Sequence, residues 1–557
     1  MNSPNPALVS QREAEPLPRF LLLLFCAAYV LPGVFGRDPW KSADITAFGY
    51  IVNIAHGKTS WFAPTVGGLP TADGALLPYW IGAVFVKALP WLDATLAARI
   101  PFALLLALTL ALTWYAAYSL ARSDSAQPLP FAFGGEAAPA DYARAIADGA
   151  LLAVIASLGL LQLGHETTPD LAQLAAISLY LYGLAASYRR PLKGGLAAGL
   201  ALPALAASGA PSIALLLAGV GLAVTLAARR PGWARQAAFI AAGAALAVIA
   251  ASLLGAWANR LGNYRHGGHV ISLLSEIAWF AWPTWPLAIF TVWTWRRRLL
   301  DEHLAMPLGC TLMLLAVWIG MGGSNRALML ALPPLAVLAA FALPTLERSA
   351  AAAIDWFSVF FFTIAAATGW AFYVAMQTGE PAKLAANVAK LSPGFESIFS
   401  PVALAFALAA TVAWIWLVKW RTGRNRHPIW KSMVLPAGGV TLCLVLVMTV
   451  LLPPFDNARS YRSMVDRVAR QISKPNCIST PGMSRAQVVA LEYQGGWRVD
   501  AVTPPSKSKC EILILPRQQK PPDASWLFMA RERRVRSEDD IIDVYQRASR
   551  PSLSAPR

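Results

Sequence analysis

The chain has 557 residues, 56% of them hydrophobic and 14% charged, with a mean hydropathy of +0.49, which excludes an ordinary soluble domain. A formal net charge of +17 would point to nucleic acid in a soluble protein. Here the basic residues fall in short loops between apolar segments, as a positive-inside bias places them, so membrane lipids and not nucleic acid are the expected surroundings.

In chain order, residues 1–18 precede a Leu-rich run without a small-residue cleavage site, which predicts a cytoplasmic tail and a retained first helix. Apolar windows of roughly 20 residues, the length of one crossing, then recur over residues 19–452 and predict about thirteen transmembrane helices. Basic loops at 189–193, 229–235, 296–298 and 419–431 mark the cytoplasmic side. Counting from them places 37–78, 165–170, 257–270, 322–326 and 377–401 on the opposite face. Parity then requires 76–92 either to stop short of crossing or to re-enter. Residues 122–146, rich in Ala, Pro and Gly, read as a flexible cytoplasmic connector. Residues 194–228 predict two short helices broken at ALAASGAPS.

After Pro453 and Pro454 the composition turns polar, and 453–557 reads as a small α/β domain with a disordered end. SYRSMVDRVARQI has helical spacing, AQVVALEY fits a short helix or a strand, and CEILILP is an apolar run of strand length. Cys477 and Cys510, the cysteines of this tail, are disulfide candidates if it is extracytoplasmic. Cys26, Cys310 and Cys443 lie in apolar segments and read as packing.

The candidate chemistry collects on one face. Loop 37–78 is too acidic, aromatic and Gly/Pro-broken to sit in lipid, and it brings Asp44, His56 and Asp73 to the membrane surface, with Tyr79 just beyond. Asp44 opens an amphipathic stretch suited to an interfacial helix; it reads either as an N-cap, with Ser42, or as a site residue. Asp170, in a turn with Glu166, likewise reads as a helix start after Pro169 or as a second acid of the same site. In 257–270, Arg260 and Arg265, beside Tyr264, either grip a phosphate or snorkel to headgroups. His266 and His269 leave a divalent metal open as a cofactor. Arg326 opens a helix, where a positive charge gains nothing from the dipole, which favours a specific anionic partner.

Taken in order, SADITAFGY in the first loop, LLPYWIGAVFVKAL, AARIPFALLLALT, TTPDLAQLAA and SNRALMLALPPLAVLAA resemble the bacterial lipid-linked-sugar glycosyltransferases that include protein O-mannosyltransferases and aminoarabinose transferases. The resemblance covers most of the membrane region. It implies a GT-C fold, an all-α polytopic membrane bundle, followed here by the small C-terminal α/β domain on the periplasmic side. It also implies an enzyme of the bacterial inner membrane that moves a sugar from a polyprenyl-phosphate carrier to a lipid, glycan or protein acceptor at the periplasmic face. In that family the acid matching Asp44 is a catalytic candidate, the one matching Asp170 lines the same cavity, and Arg326 falls where a basic residue suits the carrier phosphate. The chain departs from aminoarabinose transferases at Ala72–Asp73–Gly74–Ala75, where they carry Glu-Lys-Pro-Pro, and at Ser208–Gly209–Ala210–Pro211, where they carry Thr-Lys-Gly-Pro. Both departures bear on the substrate and not on the enzyme class. A non-catalytic lipid or polysaccharide transporter and a membrane scaffold are the alternatives, and neither requires an acidic first loop.

Overall fold

The structure is a computed structural model that describes residues 6–40, 42–228, 231–257, 270–393, 395, 397–423, 428–472, 475–535, 537 and 540–548. Helix α1 (Arg19–Val30) leads into a loop carrying α2 (Ala43–Ala55) and a short antiparallel ladder of β1 (Thr65–Val66) and β2 (Leu69–Pro70). Then come α3 (Leu76–Ala88), α4 (Ala94–Ala121), α5 (Pro139–Ala156), the single turn α6 (Leu160–Leu163), α7 (Pro169–Ser187), α8 (Pro191–Ala207), α9 (Pro211–Ala228) and α10 (Trp233–Leu253). The bundle continues through α11 (Val270–Phe280), α12 (Thr284–Thr294), α13 (Glu302–Gly320), the short α14 (Asn325–Met329), α15 (Leu332–Ala340), α16 (Arg348–Thr378), α17 (Ala382–Leu391), α18 (Pro401–Thr422) and α19 (Val434–Met448).

This is a membrane-spanning helical bundle. Among the described residues seven helices are long and apolar enough to cross, while α1, α3, α8 and α15 are apolar but shorter. Length alone therefore does not reach the expected thirteen. The 13 residues of α3 rise about 20 Å, less than a hydrocarbon core of about 30 Å, so this helix is too short to cross by itself. Small residues let backbones approach closely: a Cβ on Gly183 of α7 would lie 2.3 Å from Ala198 N of α8, and one on Gly243 of α10 would lie 2.4 Å from Gly199 O. The predicted break between α8 and α9 falls at 208–210, where Gly209 has φ +83°.

The 122–146 segment differs from the expected flexible connector. It is tied to the N-terminal tail by Leu129 N to Ala7 O at 3.1 Å and Ala137 N to Val9 O at 3.0 Å, with Ala7 and Val9 buried. Its last residues already belong to α5, because Pro139 fits a first helical turn.

Beyond the bundle, α20 (Leu452–Arg459) and α21 (Arg462–Gln471) lead to a five-stranded sheet of order β4-β3-β5-β7-β6. Here β3 (Ile478–Ser479), β4 (Val499–Asp500) and β5 (Ile512–Pro516) run parallel, and β6 (Trp526–Arg533) and β7 (Ile541–Arg547) pair antiparallel. CEILILP supplies β5; AQVVALEY forms α22 (Arg485–Val489) and a following π turn. Cys477 and Cys510, just before the neighbouring strands β3 and β5, are joined by a disulfide.

This C-terminal segment sits directly on α2. A Cβ on Gly49 would lie 2.2 Å from Val489, Phe48 packs edge-on against Tyr493 with ring centroids 4.7 Å apart, and Ala501 N donates to Gly67 O at 2.9 Å. Cover on this side explains why α2, expected to be amphipathic at an interface, is buried almost throughout.

Candidate active site

Asp44 is completely buried at the start of α2. One carboxylate oxygen pairs with Arg37 at 2.8 Å and accepts from Trp40 N at 3.0 Å; the other accepts from Thr167 N at 2.7 Å and Thr167 Oγ1 at 2.6 Å. Arg37, also buried, donates to His165 O at 2.5 Å and Gly33 O at 3.3 Å. Burial by itself would raise the Asp44 pKa, but the Arg37 and Arg99 charges and the two Thr167 hydrogen bonds bring it down to about 2. The carboxylate therefore ties the first loop to the turn before α7. No side chain caps α2, so the N-cap reading of Ser42 and Asp44 is not what the structure shows. Both oxygens of Asp44 are occupied by these partners, and its side chain is buried away from any open surface.

The turn it holds aims Glu166 and Asp170 at Arg326 of α14. Arg326 pairs with Glu166 through one Nη and, through the other, with Asp170 at 3.2 Å and Thr168 Oγ1 at 3.3 Å. Glu166 is 1% exposed and also accepts from Gln162 at 2.8 Å; burial raises its pKa, against the pull of Arg326. The anionic partner expected for Arg326 is thus present within the chain, as two carboxylates.

Asp170 and Arg326 line a cavity of about 540 Å³, together with Ser42, Thr46, Asp73, Tyr79, Ser324, Ser484 and Arg485. Asp73 accepts from Ala75 N at 3.1 Å and from Tyr79 Oη at 3.2 and 3.3 Å, and it makes no ion pair among the described residues. The two departures from the family pattern meet here: a Cβ on Gly209 would lie 2.8 Å from Asp73 O and 3.0 Å from Ala75 Cβ. Tyr79 packs on Tyr50 at 5.2 Å, and Tyr50 Oη donates to Pro70 O at 2.9 Å.

Of the residues singled out from sequence, Asp73, Tyr79, Asp170 and Arg326 share this cavity, Glu166 stands behind Arg326, and Asp44 lies apart from its wall. His56, expected in the cavity, is an exposed residue just past the C-terminal end of α2, the opposite end from Asp44. Arg260, Tyr264, Arg265, His266 and His269 lie outside the described residues. Among the described residues no group of three or more His, Cys, Asp or Glu is arranged to hold a metal. Arg37 and Arg485 were not marked by sequence. Arg37 follows the first apolar helix and resembles any interfacial cation, and Arg485 lies in the tail, more than 400 residues from the loop it meets.

No protein-family model and no curated protein matches the sequence. Solved structures do: ArnT from Cupriavidus metallidurans bound to undecaprenyl phosphate aligns with TM-score 0.64 at 13% identity, over 97% of this chain and 99% of that one. Its apo state aligns with TM-score 0.62 at 14% identity over the same shares. At the level of fold, the resemblance read from the sequence therefore holds, and the chain has the architecture of ArnT along nearly its whole length.

Proposed function

We propose that this chain is an integral membrane glycosyltransferase of the bacterial inner membrane, taking a sugar from a polyprenyl-phosphate carrier and placing it on a lipid, glycan or protein acceptor. The cavity opens on the periplasmic side, and residues 453–557 form a periplasmic domain over it. The observation that carries the reading is one cavity holding a carboxylate, Asp73, that makes no ion pair among the described residues, and an Asp170–Arg326 pair, in a chain whose fold matches a protein crystallised with undecaprenyl phosphate.

In the reaction the bond between the anomeric carbon and the phosphate oxygen breaks, and the phosphate leaves with the electron pair. A bond from the acceptor oxygen to that carbon forms on the opposite side. Arg326 stabilises the departing phosphate by charge-assisted hydrogen bonds, and Asp170 fixes its guanidinium. A hydroxyl acceptor gives its proton to Asp73, whose ordered partner in the cavity is the Tyr79 hydroxyl. Asp44 is a positioning residue in this scheme: through Thr167 it sets the turn that presents Glu166 and Asp170.

The test is titration of the purified protein with undecaprenyl phosphate, read by tryptophan fluorescence, with undecaprenol as the uncharged control. Wild type is expected to prefer the phosphate. Arg326→Gln weakens that binding about tenfold or more, the worth of one charged hydrogen-bonding group, whereas Asp73→Asn binds normally and loses transfer. Equal binding of undecaprenyl phosphate and undecaprenol by wild type would overturn the proposal.

A further inference from the structure

We infer that the C-terminal α/β segment supplies a substrate-contacting residue of this cavity, Arg485, which binds a phosphate monoester anion alongside Arg326. The inference rests on the reading above and assigns that site a second cation from a distant part of the chain.

Charge makes the first argument. Arg326 is shared between Glu166 and Asp170, and Asp73 adds a further carboxylate to the wall. Among the described groups lining the cavity, Asp73 and Asp170 then stand against the single guanidinium of Arg326, whose charge the buried Glu166 also draws on, a balance that disfavours a phosphate unless another cation is present. Arg485 is the other described cation lining the cavity, and it makes no ion pair among the described residues. Its Nε donates to Pro70 O at 3.0 Å, which uses one donor and fixes the plane of the guanidinium. The Tyr50 hydroxyl is a further neighbour of this guanidinium, and its remaining terminal N–H groups offer phosphate oxygens the fork geometry of an arginine.

Placement makes the second argument. Arg485 is the first residue of α22, held by a reciprocal cap in which Gln487 N donates to Ser484 Oγ at 3.4 Å and Ser484 N donates to Gln487 Oε1 at 3.1 Å. Just beyond α22, Glu492 accepts from Gly67 N at 2.9 Å and Asn53 Nδ2 at 3.2 Å. With Val489 seated over Gly49, these contacts hold the C-terminal end of α22 to the first loop, while the cap keeps its first turn in place. Arg485 thus enters the cavity on a fixed element, with Ser484 beside it on the same wall.

The full-length protein in detergent is titrated with undecaprenyl phosphate, undecaprenol and inorganic phosphate. Arg485→Gln is expected to weaken undecaprenyl phosphate about tenfold and to leave undecaprenol unchanged. Arg485→Lys, with the charge but without the fork, falls between the two. Arg498→Ala, an exposed arginine of the same segment outside the cavity, leaves binding unchanged. Competition by millimolar inorganic phosphate in wild type but not in Arg485→Gln identifies the bare anion as the recognised group; no competition, with the tenfold loss retained, identifies the lipid-linked phosphate. Wild-type affinity in Arg485→Gln, or in Arg485→Lys should the Gln variant melt lower, overturns the inference. That result leaves the proposed function standing if Arg326→Gln still weakens binding, whereas failure of wild type to distinguish undecaprenyl phosphate from undecaprenol removes both.

Discussion

Replacing Asp44 with Asn should destabilise the protein before it says anything about chemistry. The Arg37–Asp44 pair has side-chain exposures of 1% and 0%, and removing one partner of such a pair costs about 3–5 kcal/mol, because the other charge is left buried. The Asn amide oxygen still accepts from Thr167, so about 3 kcal/mol is the expected net loss. For a protein of this size that is roughly 3 °C in melting temperature, read by intrinsic fluorescence in detergent at a fixed scan rate. Arg37→Met combined with Asp44→Asn removes both charges while keeping an acceptor for Thr167, and should recover part of the loss. Acid gives an independent reading. The folded pKa of about 2 lies below the usual carboxylate value of 3.8, so the contribution of Asp44, about 2 kcal/mol, is fully present above about pH 5. It is lost as pH falls through 3.8 towards 2, and Asp44→Asn should lose less than wild type over that window. A variant that melts within about 1 °C of wild type yet has lost transfer would refute the positioning role and restore Asp44 as a base.

Two further outcomes follow from the geometry. Gly209→Ala puts a methyl 2.8 Å from Asp73 O at a backbone φ of +83°, so it should lower stability by about 1–3 kcal/mol and slow transfer by displacing Asp73; wild-type melting and rate together would contradict the contact. The Cys477–Cys510 bridge spans 33 residues and should contribute about 4 kcal/mol, so reductant or Cys477→Ser should lower the melting temperature, and no change would mean that the bridge does not form.

Much of the bundle was legible because apolar runs and their Gly, Pro and basic punctuation are local signals. The helix break at 208–210 and strand β5 were legible for the same reason. Local signals also found Asp73, Asp170 and Arg326, which stand near element starts on one face. What the sequence hid is contact between distant segments. The burial of Asp44 depends on Arg37, on the 165–168 turn and on the C-terminal segment covering α2, and none of these is encoded in the pattern around position 44. Arg326 read as a cation awaiting an external anion, because nothing in GGSNRALML shows that Glu166 and Asp170 face it. Arg485 sits in a polar tail where a surface arginine is ordinary, and only the clamp between Glu492 and the first loop sets it apart.

The central claim is that this cavity transfers a sugar from a polyprenyl-phosphate carrier. Mass spectrometry of lipid A, envelope glycans and secreted proteins, compared between cells with wild-type protein, without it and with Arg326→Gln, tests that most directly. The account predicts one glycosyl unit on one acceptor class, present with wild type and missing in the other two; identical profiles in all three would contradict it.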